Sequence, residues 1–422
     1  VRLSAAQLAP LRLAGFRNLF LATLGSSVGT LLAAVALAID VADRTSASPR
    51  TGLWVAAVLI VEFLPTVVVG LLLGPLLDRL ERRSLMIAAD ATRVGVFVAL
   101  PFAPNAATVV GLALVAGLAT GFFRPAVYAG VPNLVDDDLL PQANALLQTV
   151  ENLSWTLGPF VGGVLTAAAG PSAAYAINAA SFVVSILLIV RIPPRLLQSE
   201  RALSRGYWRD LGDGFVATLR SRSLVAVLVA WGVASLGMGA VNVAELFLAK
   251  RTFAAGDFGY GLLYGAMGLG LVLGSFASAA LLERYGVAVL YGGSLALLGV
   301  GYAAAGVSPD VWAAAACCVV AGAGNGAAVA CNAILVQRGT FDLFRGRALT
   351  FVMSATFAVV GVGELLGGVF VHHVGARWEW GGAGMALAVA SAAGWGIARK
   401  LGGETAAEGE PPPEGAPAVA TN

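Results

Sequence analysis

Charge is scarce in this sequence: Asp, Glu, Lys and Arg make up 12% of 422 residues, against about 25% in soluble proteins. Lysine occurs only at positions 250 and 400 and histidine only at 372 and 373. No Gly-x-x-x-x-Gly-Lys-Ser/Thr phosphate loop is present, so nothing points to nucleotide hydrolysis as an energy source. His372 and His373 are neighbours that would point about 100° apart on a helix, with no acid or cysteine three or four positions away. They read as the outer end of a helix, and the expectation is no metal and no cofactor. Cys317, Cys318 and Cys331 fall in or beside one apolar stretch and read as small packing residues rather than a disulfide framework. The lone acidic cluster, Asp136 to Asp138, lacks the second aspartate pair that a magnesium diphosphate site would need, and reads as a solvated loop. HExxH is absent, and a net charge of +2 gives no support to a nucleic-acid partner. The chain is expected not to be an enzyme.

What remains is apolar: 58% hydrophobic residues with a mean hydropathy of +0.83. A spanning helix needs about 20 apolar residues. Twelve such segments start near Phe16, Leu53, Ser84, Ala107, Gln142, Ser172, Leu224, Phe258, Val287, Val311, Arg347 and Trp378. None alternates with period two, which excludes a β-barrel. The first segment is longer than a signal h-region and is expected to stay as an anchor. With the N-terminus inside, the inner loops hold 20 of the 26 Lys and Arg residues, the outer loops hold Arg44, Arg50, Lys250, Arg251 and Arg377, and Arg93 lies within a span. This asymmetry puts both termini in the cytoplasm of a multi-pass membrane protein.

The chain also repeats itself. At an offset of 205, Asp78-Arg79 meets Glu283-Arg284, Gly117 and Gly121 meet Gly322 and Gly326, Gly162-Gly163 meets Gly367-Gly368, and Asp40 meets Glu245. The fold expected is all-α, with twelve transmembrane helices in two pseudo-symmetric six-helix halves. Residues 1–191 form the first half and 224–400 the second. Residues 192–223 form a cytoplasmic linker in which Trp208, Leu211, Phe215 and Leu219 recur at helical spacing, a pattern equally open to a plain solvated linker. Residues 401–422 are a Pro-, Gly- and Glu-rich tail expected to be disordered. Two halves of this kind rock about a site at the midplane.

One stretch breaks the apolar pattern sharply: "GPLLDRLERR", residues 74 to 83. Gly74 and Pro75 end a helix, and Asp78, Arg79, Arg82 and Arg83 follow, the last two available to carboxylates or lipid headgroups. The stretch resembles the loop signature of the major facilitator superfamily, Gly-x-x-x-Asp-Arg-x-x-Arg-Arg. That resemblance implies a cytoplasmic latch between halves, carried by Gly74, Asp78, Arg79, Arg82 and Arg83. "LGPFVGG", residues 157 to 163, resembles the Gly-Pro-x-x-Gly-Gly signature of the antiporter branch and is matched at Gly158, Pro159, Gly162 and Gly163. Its physical reading is a small-residue face on a helix that Pro159 bends. "FRNLFLATLGSSVG", "FFRPAVYAGVPNLV" and "RGRALTFVMS" are similar to stretches of the enterobactin-type and macrolide-type exporters of that superfamily. Arg124 departs from that subgroup, which often carries an acid there.

Each ionisable group inside a span costs about 2.5 to 3.5 kcal/mol on insertion scales and is a functional candidate by default. Glu62 lies nine residues, about 13 Å, below the outer end of its span and has no charged neighbour within a turn. It leads the proton-coupling candidates, followed by Glu151 and the pair Asp90 and Arg93, which can also neutralise each other. Asp40 and Glu245, with Asn242, Asn325 and Asn332, are candidates for the substrate cavity. Glu364, at the repeat position of Pro159, reads as a helix end. The sequence therefore predicts a monomeric secondary transporter in a bacterial cytoplasmic membrane. It would exchange protons for a small amphipathic compound by alternating access, in contact with membrane lipid. A symporter of the same fold and, more distantly, an intramembrane lipid-handling enzyme are the alternatives.

Overall fold

A computed structural model describes residues 7–72, 80–197, 222–338 and 345–407. The described residues are helical, with no strand among them. The α-helices in chain order are α1 Ala14–Arg44, α2 Thr51–Leu72, α3 Arg82–Ala99, α4 Ala106–Gly130, α5 Leu140–Ala169, α6 Pro171–Val190, α7 Arg222–Phe247, α8 Gly256–Val307, α9 Val311–Arg338, α10 Arg345–Phe370 and α11 Ala376–Ala407. α8 is broken at Gly286, whose φ of 75° and ψ of 163° belong to a region that suits glycine. The break falls where the sequence places the start of a new span, at Val287.

Seven described stretches are long and apolar enough to cross a membrane by length and composition, the whole of Gly256–Val307 counting as one. α5 is not among them, because its first half carries Gln142, Asn144, Gln148, Glu151 and Asn152. The last helix runs on to Ala407, past the expected start of the tail at 401, since Glu404 to Ala407 are helix-compatible residues. Gly74, Asp78 and Arg79 of the loop signature, and most of the 192–223 linker with its amphipathic pattern, lie outside the described residues.

Helices α1–α6 form one packed group: α1 lies on α5 and α6, α2 on α4, and α3 on α4 and α6. In the second group α7 packs on α10 and α11, and α8 on α9 and α11. One kind of close contact occurs in both groups. Gly117 of α4 faces the Val61 carbonyl of α2, and Gly322 of α9 faces the Met267 carbonyl of α8. Pro65 lacks the N–H that would bond Val61 O, so that carbonyl is free to meet a neighbouring helix.

The groups meet mainly through α5 on α8 and α2 on α10, and the closest approaches gather on one side, called here the far side. There Gly163 of α5 abuts Gly261 of α8, where an added Cβ on Gly261 would sit 2.5 Å from Gly163 Cα. Gly368 of α10 abuts Gly52 of α2, where an added Cβ on Gly368 would sit 2.7 Å from the Gly52 carbonyl oxygen. Lys250 Nζ bridges Asp43 at 2.5 Å and Asp257 at 2.8 Å. No comparable set of contacts joins the groups on the near side among the described residues. There Arg82 donates to the carbonyls of Ala129 at 2.9 Å and Leu197 at 3.1 Å, and Arg83 to those of Ile189 and Val190. These arginines cap helix ends of their own group, favourable because carbonyls there carry partial negative charge.

Candidate functional site

Between the two groups lies a cavity of about 700 Å³, within the usual range for a site that encloses an organic molecule. Its wall runs from the helix middles toward the near side: Ile60 to Leu64 of α2, Gln148 to Trp155 of α5, Trp231 to Glu245 of α7, Tyr264 to Ser275 of α8, Asn325 to Ala333 of α9 and Thr356 to Glu364 of α10 all contribute residues. Most of that wall is apolar or aromatic. Phe63 and Trp155 stack at 5.7 Å and 18°, and Trp155 and Tyr264 at 6.4 Å and 6°, forming a ladder from α2 across α5 to α8.

A smaller, polar recess of about 80 Å³ adjoins it, sharing Phe63, Glu151 and Trp155. Its wall holds Glu62, Arg93, Arg124 and Tyr128, with hydroxyls from Thr23, Ser26, Ser27, Thr30, Thr120 and Ser154. Glu62 is half-buried, and its Oε2 is buried without a hydrogen-bond partner. Glu151 is ion-paired to Arg124 and accepts from the Tyr128 hydroxyl at 3.0 Å. Asp90 and Arg93 form a buried ion pair, and the Arg93 guanidinium lies 4.4 Å over Phe123 and 4.3 Å over Phe182. That sandwich of rings offsets part of the cost of burying the cation.

The sequence candidates thus separate. Glu62, Glu151 and Arg93 converge on the recess; Glu151, Glu245, Asn242, Asn325 and Asn332 line the main cavity. Asp90 is reached only through Arg93. Asp40 does not line either cavity: it is buried against Arg44 at 2.7 Å and the Tyr175 hydroxyl at 3.0 Å, so it organises the far side of α1 and α6. Glu364, read from sequence as a helix end, faces the main cavity and accepts from Asn242 at 3.2 Å. Its in-span position was the signal for it. The aromatic ladder and the Arg124–Glu151 pair had no sequence signal, since they join residues far apart in the chain.

Gly158, Pro159, Gly162 and Gly163 form the close-packing edge of α5. A Cβ on Gly158 would meet Leu31 Cβ at 2.7 Å, and Gly162 faces the Leu32 carbonyl. Pro159 cannot donate to the Trp155 carbonyl, and that carbonyl faces Gly268 of α8.

Residues 5–412 match the profile of the transmembrane secretion effectors, a family of the major facilitator superfamily (MFS). The chain belongs to this family. Three relatives share its sequence along much of its length. The MFS-type transporter YkuC of Bacillus subtilis is 26% identical over 276 residues, 62% of this chain. The match spans 63% of YkuC, just under two thirds of its length. Macrolide efflux protein A of Streptococcus pyogenes is 23% identical over 331 residues, 74% of this chain and 79% of that protein. Enterobactin exporter EntS of Salmonella typhimurium is 29% identical over 321 residues, 72% of each. The fold is that of solved MFS-type structures. A bacterial homologue of the human lysosomal transporter Spinster, inward-facing and unoccupied, superposes with a TM-score of 0.69 at 13% identity over 95% of this chain and 99% of that one. A POT peptide transporter gives 0.74 at 13% identity over 92% and 95%. The chain is therefore a multi-pass membrane transporter of the MFS, and not an enzyme.

One far-side contact of the transporter joins a titratable side chain to main chain. The Gly52 N–H donates to His372 Nε2 at 3.2 Å, and the imidazole packs edge-on against Phe247 at 5.5 Å. Burial first, and then the charges of Arg251 and His373, hold this histidine below its ordinary value, so it stays neutral and able to accept. A state in which the contact is broken takes up a proton more easily. Closure is then fully supported above about pH 6.5 and weakens as pH falls through that value. In a background without the native cysteines, a thiol at Ala56, which packs against Gly368, should label several-fold faster from the far side at about pH 5.5 than at about pH 7.5. His372→Gln keeps an acceptor that does not titrate and should flatten that dependence. An unchanged dependence in the variant would separate it from His372.

Proposed function

We propose that this chain is a twelve-span secondary transporter of two pseudo-symmetric six-helix halves that exports a small amphipathic organic compound in exchange for protons. The observation that carries this reading is the cavity itself: bounded on the far side by contacts between backbones, apolar over most of its wall and edged by the carboxylates of Glu151, Glu245 and Glu364. An apolar wall with few polar groups suits amphipathic molecules better than sugars, which need many hydrogen bonds. With the near side taken as cytoplasmic, as the arginine asymmetry implies, the far-side contacts between the groups support an inward-facing reading. The efflux named for macrolide efflux protein A and for the enterobactin exporter supports the outward direction.

In this mechanism the substrate enters from the near side, the halves rock, and the far-side contacts part while the near side closes. Glu62 takes the coupling proton, with Glu151 the next in line, and Asp78 and Arg79 latch the near side. Proteoliposomes holding the protein should accumulate a lipophilic dye only while a pH gradient is imposed. Equal accumulation with the gradient collapsed would remove proton exchange from the reading.

A further inference from the structure

The acids around the cavity are not equivalent. Glu151 is answered by Arg124 and Tyr128, and Glu62 shares its recess with Arg93 and Arg124. On the opposite wall stand Glu245 and Glu364, and among the described residues no Arg, Lys or His lines this cavity. Glu364 has the Asn242 amide as a donor. Glu245 is 3% exposed, and its Oε1 is buried with no hydrogen-bond partner.

Among the described residues, the titratable groups that interact with Glu245 are Tyr260, Tyr264, Tyr302 and Cys318, none of them a cation. Tyr264 and Tyr302 share the cavity wall with it. Both rings are held in place. Tyr264 sits edge-on to Tyr260 at 6.1 Å and parallel to Trp155, and Tyr302 sits edge-on to Trp380 at 5.3 Å. A buried carboxylate left without a donor is costly and favours any partner that supplies positive charge. Aromatic rings beside it favour a diffuse organic cation over a small hydrated one, because the ring faces attract charge while their apolar surface accepts alkyl groups.

We propose that Glu245, flanked by Tyr264 and Tyr302, is the subsite for a substituted-ammonium group, so that the transported compound is an amphipathic organic cation. This rests on the cavity being the transport site and narrows the substrate class for it. The positive head sits at Glu245, and the apolar body lies along the ladder of Phe63, Trp155 and Tyr264. A proton and the cation compete for the same carboxylate, so cation binding weakens as pH falls.

Ethidium, whose charge is fixed, and its uncharged counterpart dihydroethidium serve as matched probes for calorimetric binding to the full-length protein in nanodiscs under argon. The wild type should bind ethidium about tenfold or more tighter than dihydroethidium. Glu245→Gln should remove most of that preference and its pH dependence while leaving dihydroethidium within about twofold. Glu245→Asp, which keeps the charge, should restore part of it, and Tyr302→Ala should cost several-fold for ethidium alone. Ethidium affinity unchanged in Glu245→Gln overturns the subsite, as does equal loss of both probes, which would make Glu245 a support of the wall. Tight binding of dihydroethidium without any preference for ethidium overturns the ammonium subsite and leaves the transport site standing. Binding of neither probe overturns both.

Discussion

Glu62→Gln should abolish gradient-driven accumulation of dye, by at least about tenfold, while equilibrium binding and passive exchange survive. Glu62 lies one residue after Val61, whose carbonyl Pro65 leaves without its helical donor and which faces Gly117. The acid therefore sits on a part of α2 already relieved of one helical bond. It faces the polar recess, with an oxygen buried and unpartnered, while its neighbour Phe63 begins the stack that leads to Tyr264 in the other helical group. A coupling group has to change its solvation between access states, and an acid locked into a pair changes less. Glu151 is so locked, by Arg124, which ranks Glu151→Gln second. Transport by Glu62→Gln with the wild-type pH dependence would end the assignment.

The second large effect is steric. Gly163→Leu should cut transport by about tenfold or more, because a side chain there must displace Gly261 across the far-side contact. Overpacking of this kind costs about 1 to 3 kcal/mol, enough to shift a two-state equilibrium roughly five- to 150-fold. Since Gly163 is absent from the cavity wall, ethidium binding should change far less than transport, and a far-side thiol at Ala56 should become more reactive. Gly111→Ala, where an added Cβ meets nothing within 4 Å, is the matched control. Normal transport by Gly163→Leu would mean that α5 and α8 never need to approach so closely.

Helix positions were legible because the bilayer demands long apolar runs and charge marks where they stop. Each expected start falls within two residues of a helix start or of the Gly286 break. Close-packing glycines were legible too, since spacing by four places small residues on one face. Pairings across the cavity were not. Nothing local tells that Arg124 reaches Glu151, that Arg82 and Arg83 cap helix ends of their own group, or that the distant Tyr175 joins Arg44 in holding Asp40. Glu364 was read as a helix end from the offset that sets it against Pro159, whereas its side chain lines the cavity and accepts from Asn242.

The residues that close the far side are Gly52, Gly163, Gly261 and Gly368, the Lys250 bridge to Asp43 and Asp257, and His372. None of them appears in the wall of the main cavity. Closure rests largely on main chain against main chain, which any sequence supplies as long as the glycines persist. The lining can therefore vary, one side chain at a time, without touching the contacts that join the groups on the far side. In a scaffold partitioned in this way, substitutions at Trp231, Met238 or Phe357 alter the cavity wall and leave the far-side contacts intact.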